Sequence, residues 1–221
     1  MIRIALTTTA LLAGISTSHA AYTYVDATDG ASGNTTLSGG SVLDAGDGTG
    51  GTTWRQRDNA GFGSGGTVFE GVQPSPEIKT TLTGLDAGVE YTIYINFWDP
   101  SSTFENWNVK AGFVSGSLTT FSREAGAVTG GVASVLASTL TYDTPPSLFG
   151  PSSSRDNLAG LVGTFTASAG GEIEVFIDDF DSTDVNQRTW YDGLSYQAVP
   201  EPTTTLLTAT GVLGLLRRRR H

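Results

Sequence analysis

Tyr94, Asn96 and Trp98 alternate along one short segment, and Asn106, Asn108 and Lys110 alternate along the next. Aromatic faces stack on the apolar faces of sugar rings, and side-chain amides both donate and accept hydrogen bonds. If the two segments lie side by side, these residues share a face and form a candidate glycan-binding surface. The competing reading is that a second layer covers the rings while the amides satisfy backbone groups. A second set is the acidic run 178–184, in which Asp179, Asp181 and Asp184 are candidate calcium ligands. Clustered carboxylates repel unless they are solvated or bridged by a cation, and calcium takes about six to eight oxygens. The spacing does not fit an EF-hand loop, so a solvated acidic turn is the simpler account. Asp26 with Asp29, and Asp44 with Asp47, are weaker cases of the same kind.

Glu172 and Glu174 are the third set. Glycoside hydrolysis needs two carboxyl groups about 5–5.5 Å apart for retention, or about 6.5–9.5 Å for inversion. Residues two apart on a strand are separated by about 6.6–7 Å. Distance alone allows the pair, but both side chains point the same way and nothing in the sequence marks a cleft. Solubilising charge is the better account. No catalytic residue is assigned and the chain is expected not to be an enzyme. The rival reading is a secreted carbohydrate-active enzyme working through carboxylates.

Composition removes most other chemistries. The 221 residues include no cysteine, and the two histidines are His19 and His221, near the two ends. The body between them lacks the groups for Ser-His-Asp, Cys-His or imidazole-base catalysis, and for the usual zinc and copper sites. Disulfide stapling is excluded as well. Removing Arg3 and the four C-terminal arginines from the 12 basic residues, and Glu201 from the 22 acidic ones, leaves a body of formal charge −14. Nucleic acid and anionic membrane are poor partners for such a surface.

The elements that must position these residues read as short strands between Gly, Ser, Thr, Asn and Asp-rich links, with no convincing helix in 21–198. The clearest is 90–98, with Tyr91, Ile93, Ile95 and Phe97 on one face and Thr92, Tyr94, Asn96 and Trp98 on the other. A hairpin with 106–113 is predicted, placing Phe97 opposite Trp107, Ile95 opposite Val109 and Ile93 opposite Ala111. The other face would pair Trp98 with Asn106, Asn96 with Asn108, and Tyr94 with Lys110. Further strands are expected at 78–82, 117–121, 161–167, 172–178 (Ile173, Val175 and Ile177 inward) and 188–196. Residues 26–53 read as long loops, and Asn34-Thr35-Thr36, which matches a glycosylation acceptor, reads as a turn. The fold expected for 21–198 is all-β, an antiparallel β-sandwich. The segments 78–121 and 188–196 resemble jelly-roll sandwiches of the galactose-binding type, a resemblance that implies a carbohydrate-binding module.

The two ends carry addresses. One early charge at Arg3, an apolar run over 4–15 and small residues at Ser18 and Ala20 make residues 1–20 a secretory signal peptide, cut between Ala20 and Ala21 by signal peptidase. At the other end, residues 199–221 hold Val199-Pro200-Glu201-Pro202, an apolar segment over 203–216 and the stop Arg217-Arg218-Arg219-Arg220. Fourteen helical residues span about 21 Å against a hydrocarbon core of about 30 Å. That suits a transient transmembrane anchor. The arginines would stay in the cytoplasm, agreeing with a body sent outward through the export machinery. Prolines at 200 and 202 keep the strip between body and membrane extended. This tail resembles the PEP-CTERM sorting tail of Gram-negative bacteria. The resemblance implies recognition by an exosortase, removal of the helix, and delivery to the cell surface or an extracellular polysaccharide matrix. Together these readings predict an exported structural or adhesive protein of an exopolysaccharide layer, with glycan binding and calcium as candidate additions.

Overall fold

The computed structural model describes residues 21–43, 45, 54–58, 67–71, 74–100, 107–144, 155–180 and 188–200. The expected signal peptide, 1–20, and the expected sorting tail beyond Pro200 lie outside them. Among the described residues no helix is long and apolar enough to cross a membrane.

The strands are β1 (Thr23–Asp26), β2 (Thr35–Leu37), β3 (Trp54–Asp58), β4 (Thr67–Gly71), β5 (Ile78–Leu82), β6 (Glu90–Pro100), β7 (Val109–Val114), β8 (Ser117–Ser122), β9 (Val132–Ala133), β10 (Val135–Leu136), β11 (Arg155–Thr166), β12 (Ile173–Asp179) and β13 (Thr189–Ala198). Among the described residues the one helical turn is a 3-10 turn at Ala137–Thr139. One sheet runs β10-β11-β6-β13-β4-β3, with β1 also on β13, and the other runs β2-β5-β12-β7-β8-β9. All pairs are antiparallel except β8 with β9. The sandwich expected for the body is the architecture found.

The core forms where the inner faces of the two sheets meet. Ile93, Ile95 and Phe97 of β6 pack in one cluster with Val109 and Ala111 of β7 and with Ile173, Val175 and Ile177 of β12. Alternation puts every second residue of these strands inward. Leu82 and Leu85 join them past the turn at Gly84, whose φ of 74° is a backbone state that glycine adopts without strain.

The predicted hairpin does not form. β6 pairs with β11 and β13, while β7 pairs with β12 and β8. The two segments belong to opposite sheets, and the chain between them crosses the sandwich. The physical reason lies in their apolar faces. Ile95 and Val109 can be neighbours on one sheet or can face each other across the core, and facing each other buries both sets of side chains. The crossing is held by Asp99, whose Oδ1 accepts from the Trp107 N–H at 2.8 Å and whose Oδ2 accepts from Arg123 Nε at 2.7 Å. Arg123 also reaches Asp156 at 2.8 Å. Burial raises the Asp99 pKa, and its hydrogen bonds from Trp107 and Arg123 oppose that rise.

Strand β13 runs the height of the first sheet. Its start, Thr189–Tyr191, pairs with β4, and its centre, from Gly193 to Tyr196, pairs with β1. Its end continues beyond the ladder, because the Val199 N–H donates to the Glu90 carbonyl at 2.8 Å.

Candidate functional site

The six residues of the predicted glycan surface are divided between the two sheets. Tyr94, Asn96 and Trp98 lie on the outer face of the first sheet, away from the core. Asn108 lies at the crossing, buried, with its carbonyl accepting from Thr189 Oγ1. Lys110 lies on the outer face of the second sheet, 3.8 Å from Asp178. Asn106 is outside the described residues. The expected shared face therefore does not exist.

Nor is the first three-residue group a shelf. Asn96 and Trp98 are 0% and 1% exposed. Tyr94 meets Tyr22 edge-on with ring centroids 5.4 Å apart, and Tyr22 in turn tilts against Tyr142 at 6.3 Å. Burial and the neighbouring Tyr94 hydroxyl push the Tyr22 pKa up to about 12.

What covers these residues is a hydrogen-bonded polar layer. Ser195 Oγ donates to Asn96 Oδ1 at 2.6 Å and lies 3.2 Å from the Tyr142 hydroxyl. A serine has one proton to give, so Tyr142 is the donor to Ser195. Asn96 Nδ2 donates to Asn157 Oδ1 at 3.3 Å, and Asn157 Nδ2 donates to Asp192 Oδ2 at 2.8 Å. The chain Tyr142–Ser195–Asn96–Asn157–Asp192 thus links the outer faces of β13, β6 and β11. It ends on a carboxyl group that is 0% exposed. Burial, and then the nearby Asp26 charge, push the Asp192 pKa up to about 8, against stabilising hydrogen bonds from Asn157, Trp98 and Tyr24. The Tyr24 hydroxyl lies between the two acids, 3.1 Å from Asp26 Oδ1 and 3.2 Å from the Asp192 carbonyl. Burial thus favours the protonated form of Asp192.

Beside this layer lies a small indole cluster of Trp98, Trp107, Trp190 and Val68. Trp107 and Trp190 stack with centroids 4.5 Å apart and planes 16° from parallel. The Arg155 guanidinium carbon sits 5.2 Å from each ring. Both rings are 5% exposed, so each indole uses its face on the other and neither offers a free platform.

The acidic candidates fare differently. Asp179 is fully buried, and its Oδ2 accepts from the Ser75 N–H at 3.0 Å, which ties the 74–77 segment to β12. Asp181, Asp184, Asp44 and Asp47 lie outside the described residues. Glu174 is exposed and paired with Lys79 at 2.6 Å, while Glu172 precedes β12 in an exposed turn. Of the segment expected to be a turn, only Asn34 lies at a bend, because Thr35 and Thr36 begin β2 and pair with Thr80 and Lys79. Asn34 Oδ1 accepts from the Thr28 N–H at 2.8 Å and its Nδ2 donates to the Asp26 carbonyl at 2.8 Å.

Chemically, the arrangement is a sealed scaffold. The carboxyl group of Asp192 is enclosed by rings and amides, out of reach of a polymer. Sequence reasoning did not single out Asp192, Asn157, Ser195, Tyr142 or Arg155. The signal available was the run 190–195 of β13, where polar and aromatic side chains alternate with Tyr191 and Leu194 across a bulge.

The feature that reads most directly in terms of function lies at the opposite end of β13. The strand delivers Ala198 and Val199 to the edge of the sandwich, and exposed Pro200, without an N–H, ends the ladder. A family described as the PEP-CTERM protein-sorting motif matches residues 198–220. The chain carries a PEP-CTERM sorting motif. This motif implies an exported, cell-envelope-associated protein processed by exosortase. No curated protein matches the chain. The PEP-CTERM tail therefore speaks for the route of the body, and the sandwich geometry speaks for the body itself.

Proposed function

We propose that the sandwich is a non-enzymatic structural or adhesive module, delivered through its sorting tail to the surface or extracellular matrix of a Gram-negative cell. There it would contribute to a polysaccharide layer. Before processing the tail would hold it briefly at the inner membrane. The observation that carries this reading is the polarity of β13. The sorting motif begins at Ala198 at one end, and the Trp190–Trp107–Arg155 stack lies at the other, about eight residues or 27 Å away at strand spacing. A body standing on its tail would present the indole and arginine end outward. Arg123, Asp156 and Arg188 lie at the same end. That end is the best candidate for sugar contact, because the partly exposed guanidinium groups of Arg123, Arg155 and Arg188 gather there around the closed indole stack. The sealed position of Asp192 and the Lys79 pairing of Glu174 weigh against carboxylate catalysis.

The test is co-sedimentation of the purified mature body with polysaccharide from the producing cells, with Arg155→Ala as the comparison. Retention that falls severalfold in the variant supports the reading. Loss of no retention in the variant, or no binding by the native body, removes the outward-end assignment. Release of reducing ends from the polymer would favour the enzyme rival.

A further inference from the structure

The sorting motif and the sheet overlap. Residues 198 and 199 belong to the matched motif, yet Ala198 pairs with Tyr91 and the Val199 N–H donates to the Glu90 carbonyl at 2.8 Å. No spacer separates the last strand from the motif. Val199 is half-buried and Pro200 is exposed. On the opposite side of β13, β1 brings the expected mature N-terminus to the same end, since Thr23 pairs with Tyr196 and Tyr22 is tied to Thr141 by a 2.8 Å hydrogen bond.

An enzyme that cuts or exchanges a peptide bond binds its substrate extended, over residues on both sides of the bond. To seat Val199 together with Pro200, an exosortase must draw Val199 away from Glu90. The cost is one backbone hydrogen bond at the end of a ladder, together with the contacts of a half-buried valine. We infer that the folded sandwich restrains its own processing: the Val199–Glu90 bond makes Val199 a gated part of the motif, and release of the end of β13 from β6 precedes exosortase action. Glu90 acts here through its backbone, as a positioning residue and not a catalytic one.

The experiment inserts Gly-Ser-Gly-Ser between Ala198 and Val199 of the full chain in the producing cell, leaving 199–221 unchanged. Pulse–chase labelling follows conversion of precursor to the shorter form. The expected result is conversion faster by about two- to tenfold, the range that one net backbone hydrogen bond supplies. Unchanged or slower conversion overturns the inference, slower conversion meaning that the enzyme uses the body as a docking surface. A second measurement is hydrogen exchange at the Val199 amide in the detergent-solubilised precursor. Protection in the native chain, lost on insertion, is expected. An unprotected Val199 amide in the native chain overturns the inference whatever the conversion rates. Placing the same insertion behind an unstructured segment in place of the sandwich should leave conversion unchanged. Equal acceleration there would assign the effect to length alone and also overturn it.

Discussion

Asp192 is a carboxyl group sealed from solvent by strands from three segments of the chain. An aspartate ordinarily titrates near 3.9, but burial and the Asp26 charge push this one to about 8. The groups facing it are Asp26 and Tyr24 from β1, Trp98 from β6 and Asn157 from β11. Its folded-state pKa lies above its unfolded one. The folded chain therefore holds a proton that the unfolded chain has released between about pH 4 and pH 8, and stability from this group falls as pH rises through that window. A single group can contribute at most about 1.4 kcal/mol per pH unit there. Asp192→Asn keeps a neutral side chain of the same shape. The difference in melting temperature between the variant and the native body should thus move in the variant's favour from pH 5 to pH 8, by several degrees in thermal scans. A constant difference across that range would mean that Asp192 is ionised in the folded protein. Nothing in the sequence marked this residue, because burial of a polar side chain depends on strands distant in the chain. Here Tyr24, Asn157 and Asp192 are brought together from three separate segments. The rings and amides of 94–98 were visible as a group, but the cover over them was not.

At the level of elements, local alternation predicts which face of a strand is apolar, and pairing partners come from elsewhere. The inward faces of β6 and β12 are the ones that alternation indicates, and β5 and β8 lie where their patterns place them. The first half of β11 was not legible, because Leu158 and Ala159 are both buried and no alternation marks that stretch. The hairpin between β6 and β7 was a reasonable inference from proximity in the chain, and the crossing at Asp99 replaces it. Asp99→Ala would leave the Trp107 amide and the Arg123 guanidinium without their shared acceptor. A loss of about 3 kcal/mol is expected in urea unfolding, as for a buried pair deprived of one member. Asp99→Asn, which keeps one acceptor oxygen, should cost less. The β1–β13 contact has a comparable weak point. A methyl group at Gly193 would collide with the Val25 carbonyl oxygen and crowd the Tyr24 hydroxyl. Gly193→Ala should therefore destabilise the fold by about 1–3 kcal/mol, the range for overpacking. Hydrogen exchange should locate the loss in β1.

Considered as a whole, the molecule brings Tyr22–Thr23 and Ala198–Val199 to one end of the first sheet and its arginine and indole cluster to the far end of the same sheet. The tail was the most legible part of the chain because its signals are contiguous: a proline-bracketed glutamate, an apolar run and four arginines need no tertiary partner to be recognised. The body offered only fold class, since a sandwich joins strands whose partners lie up to about 170 residues apart, as in the pairing of Thr23 with Tyr196. This geometry has a consequence for the processed product. β13 must stay complete for the sheet to close on β1, β4 and β6, so a cut made on the N-terminal side of Val199 would begin to remove ladder bonds from the body. A cut beyond Pro200 would leave every described strand intact. Mass spectrometry of the protein recovered from the cell surface should therefore give a chain beginning at Ala21 and ending between Pro200 and Thr203. A surface protein that retains Arg217–Arg220 would show that the tail is not removed, and an end before Ala198 would show that processing trims the sandwich itself.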